Sequence, residues 1–248
     1  MKITENCVLI TGGASGIGFA LAEELLRRGN EVIICGRREE KLREARRRHR
    51  KLAARVCDLA HEDERLALCE WVVREFPQLN VLLNNAGIQL PIDFVRSVRG
   101  MNSAASEIAV NLEAPIRLSS LLLPHLKRRP EAAIVNVTSA LAFVPLASVP
   151  VYSATKAALH SFTLSLRHQL RRTSVEVIEI VPPIVDTELY RRKRPSGRSF
   201  GMKAEDAARI AVIGLARGDE EIIIPPAEAL VARAQADARA AFRSLNGE

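Results

Sequence analysis

Thr11-Gly12-Gly13-Ala14-Ser15-Gly16-Ile17-Gly18 lies between an apolar run, Cys7-Val8-Leu9-Ile10-Thr11, and a segment in which Ile17, Ala20, Leu21 and Leu25 recur at helical spacing. A strand, a glycine-rich turn and a helix in that order begin a nucleotide-binding α/β unit. Glycines at 12, 16 and 18 permit a tight turn, close approach of a ligand to the main chain, and close packing of helix on strand. The helix start then offers unpaired N–H groups and partial positive charge to a pyrophosphate. Gly12, Ser15, Gly16, Ile17 and Gly18 are therefore candidate cofactor contacts, although the G-x-x-x-G-x-G spacing departs from the usual G-x-G-x-x-G fingerprint.

Outward from this turn, short β-branched runs alternate with helical segments. Strands are predicted at Glu31 to Cys35, Ala54 to Cys57, Val81 to Leu83, Ala133 to Val137, Val175 to Val181 and Glu221 to Ile224. Helical periodicity fills the gaps, with long stretches near 102–129 and 151–172, and returns in a terminal helix over 227–243. Strands apolar on both faces, separated by helices, imply an α/β fold with a parallel sheet between helix layers. No repeat or linker divides the chain, so one domain spanning 1–248 is expected.

The 248 residues are 48% hydrophobic and 26% charged, which excludes a disordered or collagenous chain. The net charge of +7 favours a phosphorylated ligand or a polyanion without choosing between them. Cys7, Cys35, Cys57 and Cys69 form no CxxC pair, read as reduced buried thiols, and point to a cytoplasmic location. No metal site is expected. The N-terminus lacks a signal-peptide core and no apolar run reaches about 20 residues, so no membrane association is expected.

In dinucleotide sites an acidic residue ending the second strand bonds the ribose 2′-hydroxyl. Here that strand ends Cys35-Gly36-Arg37-Arg38. Gly36 removes a carboxylate that would repel a 2′-phosphate, and Arg37 and Arg38 can grip one through charge-assisted bonds. NADP(H) is favoured over NAD(H). Asp58 and Leu59 follow the third strand at the ligand-gathering edge, where Asp58 suits an adenine amino group or the cap of the next helix. Asn84-Asn85-Ala86-Gly87 follows the fourth strand, small enough for Asn85, Ala86 and Gly87 to touch a ribose or base.

Ser139 comes just after the fifth strand, with Tyr152 and Lys156 four apart at the start of a long helix. The two share a helix face, placing an ammonium where it favours the phenolate. A phenol of pKa about 10 must be shifted by ~3 units, or roughly 4 kcal/mol, to act as a base near neutrality. A buried lysine with a cationic nicotinamide is the expected source. His125, His160 and His168 stand away from strand ends and read as packing or surface residues, as does Trp71.

The TGGASGIG turn, NNAG, Asn111, Ser139 and Tyr152-Ser-Ala-Thr-Lys156 together resemble the short-chain dehydrogenase/reductase family from Val8 to about Ile224. EVIICGR, TKAALHSF and LRHQLRRTSVEVIE further resemble the DltE-type oxidoreductases. The resemblance implies a Rossmann-like, three-layer, doubly wound fold of about seven strands in the order 3-2-1-4-5-6-7. It implies a catalytic set of Asn111, Ser139, Tyr152 and Lys156. Ser139 would hold the substrate oxygen and Tyr152 would exchange its proton. Lys156 would lower the tyrosine pKa and bond the nicotinamide ribose, and Asn111 would kink its helix and anchor a proton-relaying water. Tyr152 and Lys156 thus also count among the cofactor contacts.

After the sixth strand the family usually has Pro-Gly, where this chain has Pro182-Pro183-Ile184-Val185-Asp186-Thr187. Pro183 removes one N–H and fixes φ, while Val185 and Thr187 keep their expected places at the nicotinamide carboxamide. The polar stretch 188–202, with Arg191-Arg192-Lys193-Arg194, reads as a substrate lid. The expected activity is interconversion of a carbonyl and an alcohol, with a small-molecule substrate and a homodimer or homotetramer as the assembly. Two competing readings stay open. One is a dinucleotide-binding regulator or non-redox enzyme of the same fold, against which the complete Ser-Tyr-Lys set argues. The other is a basic nucleic-acid binder, which lacks an aromatic-interleaved basic stripe.

Overall fold

The glycine-rich turn joins β1 (Cys7–Thr11) to α1 (Gly16–Arg27) in a computed structural model that describes residues 1–95, 101–191 and 201–247. Of 101–104 and 190–191 it describes the main chain alone. The first half continues through β2 (Glu31–Gly36), α2 (Glu39–Arg48), β3 (Ala53–Val56), α3 (Glu62–Glu75) and β4 (Leu79–Asn84). The second half holds α4 (Met101–Ile108), α5 (Ala114–Leu126), β5 (Ala132–Val137), α6 (Pro150–Leu170) and β6 (Val175–Val181). It closes with α7 (Glu188–Arg191), α8 (Ala204–Arg217), β7 (Glu221–Ile223), α9 (Ala227–Ala236) and α10 (Ala238–Asn246).

All seven strands pair in parallel, in the expected order β3-β2-β1-β4-β5-β6-β7. Side chains alternate across a strand, so β1 feeds two cores. Val8 and Ile10 pack with Leu21 and Leu25 of α1, Leu42 of α2 and Ala211 of α8. Cys7 and Leu9 pack on the other face with Leu68 of α3, Leu118 of α5 and Leu166 of α6. The result is a three-layer Rossmann-like fold. Its strand order reverses between β1 and β4, and ligands of such sheets gather at the C-terminal edge of this switch point.

Three local features depart from simple periodicity. The long helix expected near 102–129 is interrupted by a widened π turn at Ala109–Glu113. The terminal helix is broken at Asp237, whose extended backbone (φ −154°) and side chain cap α10 through the N–H groups of Arg239 and Ala240, each at 3.0 Å. An aspartate that can cap a new helix competes with continuation of the old one. Finally, β6 is apolar on both faces except for Glu176, which is exposed, and Glu179, which is fully buried. Among the described residues no helix is long and apolar enough to cross a membrane.

Candidate active site

The turn after β1 is tied to the turn after β4. Thr11 Oγ1 accepts from the N–H groups of Asn85 (2.9 Å) and Ala86 (3.0 Å), and Asn85 Nδ2 donates to Thr11 O at 2.9 Å. A Cβ on Gly18 would lie 2.6 Å from Gly12 O and collide with the Asn85 amide. Gly12 itself has φ +65° and sits where a Cβ would be 2.9 Å from Ala86 Cα. The glycines are therefore required by the closeness of two main chains as well as by any ligand. Ser15 is the extended residue before α1, leaving the N–H groups of Gly16, Ile17 and Gly18 without intrahelical acceptors.

Beyond β2, Arg37 is exposed and Arg38 crosses to the turn, donating from Nη2 to Ser15 Oγ at 2.8 Å. Its Nη1 is ion-paired with Glu188 at the start of α7, which also lies 3.8 Å from Lys41 Nζ. A Cβ on Gly36 would meet nothing within 4 Å, so the protein leaves this strand end open. Asp58 does not cap α3 as one sequence reading allowed. His61 stands at the helix start, and Asp58 Oδ1 accepts instead from Ala60 N at 3.0 Å in its own turn. Leu59 is buried, with its carbonyl accepting from Arg65 Nη1 at 2.7 Å.

On the other side of the switch point, Ser139, Tyr152, Lys156 and Asn111 come together. Ser139 lies two residues past β5 in extended conformation, its Oγ accepting from Leu141 N at 3.1 Å, and its hydroxyl acts on the Tyr152 phenol. Lys156 is almost fully buried and donates from Nζ to Val137 O at 2.8 Å, with Nζ 5.7 Å from the Tyr152 ring centre. Asn111 lies in the π turn and pairs with both main-chain groups of Ile88 at 2.8 Å, while Nδ2 also donates to Thr155 Oγ1 at 3.2 Å. A Cβ on Gly87 would be 3.5 Å from Asn111 Oδ1 and 3.8 Å from Lys156 Nζ, so the β4 turn links the nucleotide side to this cluster. Widened turns of this kind concentrate at functional positions because they displace a helix face locally.

The electrostatics differ from the sequence expectation. Burial pushes the Tyr152 phenol up to about 12, partly opposed by the Ser139 hydrogen bond, with the buried Glu107 adding to the rise. Burial likewise brings Lys156 down to about 8, partly opposed by Glu179. Desolvation disfavours both charged forms, and the ammonium is engaged with a main-chain carbonyl. A phenol held neutral beside a serine hydroxyl is suited to giving a proton to an oxygen bound there.

Val185 is buried and bridges to Met202, with Met202 N donating to Ile184 O at 3.0 Å and Asp186 N to Met202 O at 2.8 Å. This pairing closes the base of the segment expected as a lid. Residues 192–200 of that segment, including Arg192-Lys193-Arg194, lie outside the described residues. Thr187 meets the glycine-rich turn, a Cβ on Gly16 lying 3.0 Å from its Cγ2. Pro183 does not prevent this arrival, and Pro182 O accepts from Ala140 N at 3.1 Å next to Ser139.

His125 and Trp71 pack as expected, His125 Nε2 against Leu79 O at 3.0 Å and Trp71 edge-on to Phe76. His160 does more than pack. Its Nδ1 lies 2.8 and 3.0 Å from the two carboxylate oxygens of Glu179. Sequence reading passed over Glu179, although a second glutamate in a strand otherwise apolar on both faces was an available signal.

A family model described as short chain dehydrogenase matches residues 6–197. The chain is 51% identical over 248 residues to an uncharacterized oxidoreductase, DltE, of Bacillus subtilis, covering 99% of this chain and 98% of that protein. It is also similar to a solved short-chain dehydrogenase from Sphingobium yanoikuyae in complex with NADPH, with TM-score 0.82, 28% identity and coverage of 96% and 95% of the two chains. A short chain dehydrogenase from Burkholderia cenocepacia in complex with NADP gives TM-score 0.84 at 26% identity, covering 98% of each chain.

Proposed function

The chain belongs to the short-chain dehydrogenase family, and on that premise we propose that it is an NADP(H)-dependent oxidoreductase interconverting a carbonyl and an alcohol. The observation carrying this reading is the convergence of Ser139, Tyr152, Lys156 and Asn111 next to the β4 turn, itself tied to the glycine-rich turn. The residues present fit a dinucleotide phosphate. The α1 N–H groups of Gly16, Ile17 and Gly18 suit its pyrophosphate. The open space at Gly36, with Arg37 and Arg38 adjoining, suits a 2′-phosphate, which would compete with Glu188 for the Arg38 guanidinium. Asp58, Leu59, Asn85, Ala86 and Gly87, at the strand ends between these two sites, would contact the adenosine and ribose, and Val185 and Thr187 the nicotinamide carboxamide.

A bound nicotinamide supplies the hydride in reduction and accepts it in oxidation. In the reducing direction Ser139 holds the carbonyl oxygen, and Tyr152 gives its hydroxyl proton to that oxygen as negative charge develops there. Lys156 then stabilises the phenolate and bonds the ribose, and Asn111 holds the Ile88 turn against α6 so that these groups stay in register. In oxidation the same proton returns to Tyr152. The free thiols, all buried, support a reducing cytoplasmic setting. The proposed assembly is a homodimer or homotetramer, measurable by light scattering.

The test is a comparison of NADPH and NADH binding, followed by a carbonyl panel read by loss of reduced-nicotinamide absorbance. The reading requires tighter NADPH binding and turnover with at least one carbonyl, abolished in Tyr152→Phe. Turnover equal in wild type and Tyr152→Phe overturns it.

A further inference from the structure

Strands β6 and β7 pair in parallel with Glu179 and Glu221 in register, so the two carboxylates stand side by side on one face of the sheet. Glu179 N donates to Glu220 O at 2.9 Å, which pins that register beside them. Glu179 has no solvent exposure, and Glu221 is exposed at the start of β7. Like charges opposed on neighbouring strands destabilise a sheet, and a buried carboxylate is costly without a compensating charge. A hydrophobic residue at 179 would continue the pattern of β6 and remove both penalties. Among the described residues no lysine or arginine is ion-paired with either carboxylate. Arg167 of α6 turns its guanidinium to main-chain carbonyls instead, donating to Val177 O and Glu220 O, each at 2.7 Å.

Helix α6 supplies a third donor. His160 Nδ1 lies 3.0 and 2.8 Å from the two carboxylate oxygens of Glu179, and its ring, 22% exposed, packs at 4.6 Å between centres on Phe143. Glu179 Oε1 also accepts from Thr138 Oγ1 at 2.6 Å, which orients the carboxylate and leaves it lone pairs for a further partner. One ligand atom from each of His160, Glu179 and Glu221 lies within 4.8 Å of the other two. An imidazole nitrogen with two carboxylates, the inner one oriented by a hydroxyl, is a donor set with outer support that suits zinc. We propose that His160, Glu179 and Glu221 bind a Zn²⁺ ion, with water at the fourth position on the solvent side. Ligand atoms at about 2.0–2.2 Å from a tetrahedral zinc stand ~3.4 Å apart, so the group contracts on binding. The exposed side chain of Glu221 can make that movement. The imidazole selects zinc over magnesium, which takes oxygen ligands. On binding, Nδ1 gives its lone pair to the metal and its proton to solvent, so the ion replaces the His160–Glu179 hydrogen bond. The ion offsets the opposed charges and clips the three-residue edge strand β7 to β6 and to α6, the helix that carries Tyr152 and Lys156. Positions 160, 179 and 221 match no short metal-ligand spacing, which is why the sequence alone points to no metal. The proposal does not depend on the hydride-transfer reading.

The test is a titration of untagged, EDTA-treated protein with ZnCl₂, followed by calorimetry and by thermal shift. The expected result is one equivalent bound with a rise in Tm. Affinity should fall at least about tenfold, with loss of the Tm rise, in both Glu221→Gln and His160→Gln. No binding by the wild type overturns the proposal, as does an equal Tm rise with MgCl₂. Unchanged affinity in either variant also overturns it, and would put the ion elsewhere, such as at the His49–Glu23 pair. Should His160→Gln fail to fold, the exposed position 221 decides alone, weakened binding in Glu221→Gln supporting the site and unchanged binding overturning it. The readout needs no turnover, so failure of the hydride-transfer reading stays separable.

Discussion

Tyr152 is held neutral by burial while Ser139 and Lys156 stand ready to receive the charge it leaves behind. Its acid role does not need a lowered pKa before substrate binds, whereas Lys156 must be an ammonium when the phenolate forms. Loss of that ammonium as pH rises through about 8 predicts a reduction rate that is flat below this pH and falls above it. A pH–kcat profile with no alkaline limb below about 10 would disagree, since that is where unperturbed lysine titrates. Gly36 and Arg37 carry a second expectation. Gly36→Asp places a carboxylate in open space, so the variant folds, but its NADPH affinity falls at least about tenfold, or 1.4 kcal/mol. Its NADH affinity holds or rises. Arg37→Ala weakens NADPH selectively, and isothermal titration of both cofactors checks both variants. These residues were legible because their chemistry is local. The tyrosine's raised pKa was not legible, because it depends on burial and on the nearby charge of Glu107, both set by tertiary packing.

At the scale of elements, the β1 turn and the β4 turn act as one unit joined through Thr11 and Asn85. Gly18→Ala improves helix propensity by about 1 kcal/mol, yet its Cβ would press on Gly12 O and the Asn85 amide. The clash is expected to prevail, lowering Tm and weakening both cofactors alike in a thermal-shift assay. A rise in Tm would show that the two turns are not packed as described. Periodicity placed α1, α6 and all seven strands to within about two residues, the usual uncertainty of element ends. It did not show the π turn at Ala109–Glu113, because one inserted residue leaves the apolar pattern of the surrounding helix nearly intact. Nor did it show the break at Asp237, where a capping side chain outweighed continuous helical spacing.

For the whole molecule, a parallel sheet with a core on each face buries all four cysteines. Burial pushes Cys7 and Cys35 far up and Cys57 and Cys69 up to about 12, so none forms appreciable thiolate at neutral pH. The native protein should leave a thiol reagent such as dithionitrobenzoate unconsumed at pH 8 and consume four equivalents in guanidinium. Rapid labelling of the native state would show a looser core. The layers were readable because alternation of strand and helix implies a parallel sheet between helices, while the strand order came from the family resemblance. Burial of Glu179 was missed because a charge within a strand is ordinarily an exposed one, and only the docking of α6 brings His160 to it. The central claim is that this cleft moves a hydride while Tyr152 moves a proton. Its most direct test is the fate of deuterium from NADPH labelled at both C4 positions, incubated with a carbonyl that wild-type protein consumes. The label should appear on the carbinol carbon of the alcohol with wild type and be absent with Tyr152→Phe at unchanged NADPH binding. Deuterium delivered equally by both proteins would contradict the account.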